Sequence, residues 1–245
     1  MKTEFAICPV CSQSTQAPAG GIPMACPSCH SNLARAPRLF VDEEGRLVRY
    51  MGRATQLVIP DAVRSVCENV FYHHTELESV TLPLGLLEIG RSAFASCSSL
   101  TEITLPATLR SLGEGAFAHC LSLARVTLPR RLTVIPDRLL EGCSSLTAID
   151  LDGITQIGSS ALAHCTALTE VALTRSLLEI GDHAFFACTG LARIVIPKSV
   201  RRVGESVFGF CPHRTAVLCE APKRPDGWSP SFAYGHDVTW NYRER

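Results

Sequence analysis

From Ala54 to His213 the chain repeats one pattern of apolar and polar positions. Segments starting at Leu77, Leu100, Leu123, Leu146, Leu168 and Leu191 read LESVTLPLGLLEIGRSAFASCSS, LTEITLPATLRSLGEGAFAHCLS, LARVTLPRRLTVIPDRLLEGCSS, LTAIDLDGITQIGSSALAHCTA, LTEVALTRSLLEIGDHAFFACTG and LARIVIPKSVRRVGESVFGFCPH. A weaker copy, ATQLVIPDAVRSVCENVFYHHTE, starts at Ala54. The period is 23 residues, with a single 22-residue member.

Each unit opens L-x-x-[VI]-x-[LIV], the alternation of a half-buried strand. Pro follows in five of the seven units (Pro60, Pro83, Pro106, Pro129 and Pro197). Lacking an N–H to give to a ladder, Pro ends the strand at a corner. A second apolar pair, such as Leu86 and Ile89, predicts a second short strand. The Gly after it predicts a sharp turn. Last comes a small and a large apolar residue three positions before Cys, as in Ala93-Phe94 with Cys97. That spacing predicts one helical turn with one buried face.

One such unit cannot bury its apolar side alone, and stacked units bury it against one another. The expected fold is therefore α/β, mostly β: a solenoid of seven 22–23-residue coils with parallel strands ~4.7–4.9 Å apart.

These units resemble leucine-rich repeats of the BspA-like bacterial type, whose pattern is a strand ending in Pro, a short strand ending in Ile-Gly, then Ala-Phe-x-x-Cys. The segment FVDEEGRLVRYMGRATQLVIPDAV, residues 40–63, is similar to the hairpin that opens such arrays. VLCEAPKRPDGW, residues 217–228, with VTWNY, residues 238–242, resembles their closing segment. Departures are modest: His74 stands at the Cys position of the first unit, Leu140 and Leu162 replace Phe, and Asp152 and Thr174 replace Pro. The resemblance is specific for fold and says little about activity. It implies a capped array, with Trp228 and Trp240 over the last coil. Capping matters because an open end exposes apolar surface and unpaired strand edges.

The chain's 12 cysteines sort into two groups. Cys97, Cys120, Cys143, Cys165, Cys188 and Cys211 take one place in successive units and read as a ladder of buried reduced thiols. Parallel Cβ vectors on neighbouring rungs oppose disulfides. Cys67 and Cys219 read as further core or cap positions. Cys8-Pro-Val-Cys11 and Cys26-Pro-Ser-Cys29 differ, forming two C-x2-C knuckles. Four thiolates so arranged suit one structural Zn2+ per chain at Zn–S ~2.3 Å. The polar stretch between the knuckles, with its Gly and Pro, suits a loop. About 35 residues also need such a staple to fold. The segment resembles a zinc ribbon. Iron or a redox dithiol at the same cysteines, and His30 as a substitute ligand, are the competing readings. The implied organisation is a zinc ribbon at 1–38, a capping hairpin at 39–53, the solenoid at 54–213 and a C-terminal cap at 214–245.

No nucleophile elbow, zinc-protease, P-loop or dinucleotide motif is present, so no enzyme activity is expected. In His119-Cys120 and His164-Cys165, adjacent residues point different ways, the thiol inward and the imidazole outward. Outward strand positions supply a candidate docking face for another protein: Gln56, Ser79, Glu102, Arg125, Glu170 and Arg193 in one column, Thr81, Thr104, Thr127 and Asp150 in the next. A second candidate is the end of the array, where Arg193, Lys198, Arg201, Arg202, Arg214, Lys223 and Arg224 outnumber Glu205 and Glu220, an arrangement suited to an anionic partner.

Lys+Arg and Asp+Glu both number 23. That balance argues against a dedicated nucleic-acid or membrane-surface binder. No apolar run reaches the ~18 residues of a membrane span. The start, MKTEFAICPVC, shows no secretory h-region, and a cytoplasmic location is expected. The function expected from the sequence is a non-enzymatic protein-interaction scaffold. Nucleic-acid or transcription-linked binding through the zinc ribbon is the alternative.

Overall fold

The computed structural model describes residues 3–8, 14–16, 25–33 and 36–243. The repeat units wind into a solenoid whose equivalent strands pair in parallel, one coil apart. Strands Gln56–Val58, Ser79–Thr81, Glu102–Thr104 and Arg125–Thr127 make one ladder of first strands. Glu170–Val171, Arg193–Ile196, Ala216–Cys219 and Val238–Thr239 make another. Arg193 pairs with Ala216 and Val217 with Val238, so the ladder continues two rungs past the seven repeat units. Inside, Leu77, Leu100, Leu123, Leu146, Leu168 and Leu191 are all buried, as are the Phe and Cys columns. Ring planes stack along the Phe column, with 4.8 Å between Phe71 and Phe94 and 5.5 Å between Phe94 and Phe117.

Two irregularities have local causes. The second strands run unbroken from Ser65–Val66 through Ser111–Leu112, and again from Val134–Ile135 through Arg202–Val203, with a gap between the two runs. The Gly113 N–H bonds to the Ile89 carbonyl at 2.7 Å. At the equivalent position of the next coil stands Pro136, which has no N–H to give to Leu112. The first-strand ladder is interrupted in the 22-residue unit. There the Asp150 carboxylate accepts the Asp152 N–H at 3.0 Å and turns the chain early.

One expectation needs correction. No helix forms among the described residues; the segment before each Cys is a run of turns. Asn69, Phe71 and His73 donate their N–H groups to Arg91, Ala93 and Ala95 of the following coil, at 2.8–3.0 Å, and later coils repeat this. Backbone donors committed to a neighbouring coil cannot close helical bonds. Residues on either side of the central one take positive φ to arrange it, as in Asn69 (58°) and His73 (61°). The glycines at Gly90, Gly113, Gly158, Gly181 and Gly204 stand just before the turn run, and none of them has positive φ. A Cβ on Gly181 would lie 2.6 Å from Ser159 N, and one on Gly90 2.7 Å from Glu68 N. Glycine is there because successive coils touch.

Both ends are covered. Strands Arg38–Val41 and Arg46–Met51 form the expected antiparallel hairpin, and Arg46 pairs in parallel with Ser65 of the first coil. Tyr50 lies 5.1 Å from Phe71 and meets His74 edge-on at 4.7 Å. At the other end Trp228 is buried and its indole N–H donates to the Val200 carbonyl at 3.1 Å. Trp240 and Phe232 pack around it.

The hairpin also receives the N-terminal segment. Strand Thr3–Ile7 pairs antiparallel with Arg38–Val41 on one side and with Ser14–Gln16 on the other. Its alternation splits two cores. Phe5 and Ile7 join the solenoid core, while Ala6 and Cys8 join a small cluster with Cys26, Leu33 and Ala36.

Candidate metal centre and docking face

Cys8 follows directly on strand Thr3–Ile7, which is anchored where the Ile7 N–H meets the Pro37 carbonyl at 2.8 Å. The second knuckle is a tight turn. The Cys26 N–H bonds to the Ser31 carbonyl and the His30 N–H to the Cys26 carbonyl, both at 2.8 Å. His30 takes φ 60°, and Ala25 bridges Asn32 antiparallel. These elements bring the sulfurs of Cys8, Cys26 and Cys29 within 4.8 Å of one another. Cys8 and Cys29 Sγ are 3.3 Å apart. Cys8 and Cys26 are buried and Cys29 is half-buried. Cys11 lies outside the described residues. The Ser31 hydroxyl lies 2.9 Å from Cys8 Sγ and 3.2 Å from Cys29 Sγ. Sequence reasoning missed Ser31, because a serine two residues after a knuckle carries no signal of its own. The cluster is close enough to hold a metal ion.

The candidate docking residues lie on or beside the first strands. Gln56, Glu102, Thr104, Arg125, Thr127, Glu170 and Arg193 are exposed, as is Thr81, and Ser79 is half-buried. Asp150 is exposed but sits in the interrupted coil, outside any strand. Toward the C-terminal rungs this face holds an open depression of about 370 Å3, lined by Glu170, Thr174, Arg175, Arg193 and Glu220 among others. The sequence did not reveal it. Thr174, at one of the two positions lacking the corner proline, lies in its wall.

The repeat cysteines are free and buried, and each donates its thiol to a backbone carbonyl one coil back. Burial pushes the Cys97 and Cys165 thiols up to about 12 and that of Cys211 up to about 11, and raises Cys120, Cys143 and Cys188 strongly. Such thiols are poor nucleophiles. His119 and His164, one position before Cys120 and Cys165, are exposed, as is His73 before His74 in the first unit. Among the described residues no helix is long and apolar enough to cross a membrane.

Residues 49–152 and 87–215 match the pattern described as BspA type leucine-rich repeat region. The chain belongs to the BspA-type leucine-rich-repeat family. Among solved structures, this BspA-type chain is similar to a leucine-rich repeat protein from Bacteroides ovatus at 29% identity, covering 76% of this chain and 55% of that one, with a TM-score of 0.64. A leucine-rich repeat protein from Eubacterium ventriosum shares the fold at 24% identity, covering 78% of this chain and 50% of that one, with a TM-score of 0.65. The BspA-type chain thus spans about half the length of these relatives. No curated protein matches it.

Proposed function

We propose that this BspA-type protein is a non-enzymatic scaffold that presents its first-strand face to another protein. One observation carries the reading. Outward side chains on successive rungs, Glu102 and Thr104 beside Arg125 and Thr127, are exposed on a paired and therefore rigid sheet. Repeat proteins recognise partners on surfaces of this kind. The experiment is capture of partners from a lysate of the source organism by the wild-type chain and by the Thr104→Glu/Thr127→Glu variant. The reading expects one reproducible protein, lost in the variant. Turnover of a substrate by the purified chain, with no partner captured, overturns it.

The reading includes one structural Zn2+ held by Cys8, Cys11, Cys26 and Cys29. The donor set supports this. Three converging thiols, two of them buried, suit a soft tetrahedral ion, whose sulfurs lie roughly 3.8 Å apart at Zn–S ~2.3 Å. Bound there, zinc supplies a cross-link between the end of strand Thr3–Ile7 and the 26–31 turn. It takes no part in chemistry, since four thiolates leave no open position. A reducing compartment such as the cytoplasm belongs to the same reading, because free thiols persist there.

A further inference from the structure

Charge is unevenly distributed along this neutral chain. Residues 54–122 hold three arginines and seven acidic residues, whereas residues 193–224 hold seven Lys or Arg and two acidic residues. The cationic end borders the depression on the first-strand face. Leu173, Val195 and Pro197 give that depression apolar walls, and Arg175 stands at its rim. Arg175 and Lys198 occupy the same position of successive coils, 23 residues apart like the paired Glu170 and Arg193, so they are neighbours along the axis. Like charges on neighbouring rungs repel. Arg201 follows directly on the turn that the Val200 N–H closes on the Pro197 carbonyl at 3.1 Å. Arg175, Lys198 and Arg201 are exposed, and among the described residues none forms an ion pair. Two of the nearby carboxylates are already engaged. Glu220 accepts the Lys198 backbone N–H at 3.1 Å, and Glu179 faces Arg202 at 3.9 Å.

We propose that this corner and its depression dock an acidic segment of a partner protein, with an apolar side chain seated in the depression and carboxylates on Arg175, Lys198 and Arg201. The proposal rests on the scaffold reading and names the partner's chemistry. Two features favour a peptide over a nucleic acid. No aromatic side chain lines the depression, and the Tyr242 ring beside it is already taken up by Arg193, 5.3 Å away. Glu170 lies in the same depression, where it opposes a continuous phosphate chain but not a peptide whose charges are placed singly.

The test is fluorescence anisotropy on the full chain with a labelled Glu-Glu-Leu-Glu-Glu-Leu-Glu-Glu peptide. Binding is expected, weakening with salt, and the peptide with Gln in place of Glu should not bind. Arg175→Glu/Lys198→Glu should weaken binding by more than about tenfold, and Arg175→Gln/Lys198→Gln by less. A circular-dichroism melt checks that these surface variants fold. Unchanged affinity in both variants, no binding by the wild type, or stronger binding of duplex DNA or phosphatidylserine vesicles at this corner overturns the proposal. Lysate capture separates it from the scaffold reading. A partner lost in Thr104→Glu/Thr127→Glu but kept in Arg175→Glu/Lys198→Glu sinks the corner alone, whereas no partner for the wild type sinks the scaffold.

Discussion

The Cys120 thiol donates a 3.1 Å hydrogen bond to the carbonyl of Phe94, one coil back. The Phe94 and Phe117 rings stack beside it. Equivalent bonds of 3.1–3.3 Å recur from Cys97 to Cys211, so each thiol is both filler and cross-tie. Cys120→Ala removes the donor and leaves a small void. The Phe94 carbonyl keeps the Cys97 N–H at 3.3 Å, so it is not orphaned. The expected cost is about 1–2 kcal/mol, read from urea unfolding.

The same thiols make the fold sensitive to alkali. Their folded pKa values are raised by burial, to about 12 for Cys97 and Cys165. An unfolded cysteine ionises near pH ~8.5. The stabilising contribution is therefore complete below that pH and is lost as pH rises toward the folded values. Melting temperature should be flat in this respect up to about pH 8.5 and should then fall, a trend that thermal melts across the alkaline range would show.

Close coil contact makes the glycine column intolerant. Gly181→Ala places a Cβ 2.6 Å from Ser159 N, and backbone cannot step aside as a side chain can. A loss of about 3 kcal/mol, at the upper end of overpacking costs, is expected. Gly235 has φ +82° but open space around its missing Cβ. Gly235→Ala should cost only about 1 kcal/mol of backbone strain. Equal losses for the two variants would show that contact is not the cause.

The two ladder gaps should open first. Amides beside Pro136 and in the 148–153 turn lack the inter-coil partners that neighbouring coils have. Hydrogen exchange is expected to be faster there than at Gly158 or Gly181, whose N–H groups bond to Ile135 and Ile157 at 2.8 Å.

For the thiol cluster, metal analysis of the purified chain should find about one zinc per chain. Cys26→Ser should lose it. A chelator should release residues 25–33 while the 54–213 coils keep their circular-dichroism signal. Phe5 and Ile7 are packed in the solenoid core, so strand Thr3–Ile7 should stay in place. Collapse of the whole chain on chelation would show that the zinc holds both cores.

The solenoid was legible because each coil touches only its neighbours, which forces the same residue types into the same places. The turn segment was not. Ala93-Phe94 and Cys97 show the i, i+3 spacing of a helical face, and a turn run burying the same residues shares it. The available signal was a different one: Asn69, Gly115 and Gly142 stand where left-handed backbone is required. The glycine column was visible, but its cause, contact between coils, is a distance that no single unit encodes. The knuckles announced the thiol cluster through their spacing, whereas Ser31 enters it only through the fold of the 26–31 turn.

On the turn side, Phe71 and His73 give their amide hydrogens to the coil ahead, while on the second-strand side Leu87 and Gly90 give theirs to the coil behind. Peptide dipoles on the two sides therefore point opposite ways along the axis, and their fields largely cancel. Unlike an α-helix, this winding has no positive and negative pole of backbone origin. Whatever electrical direction the molecule has is written in its side chains, and substitutions can redraw it without disturbing a single coil.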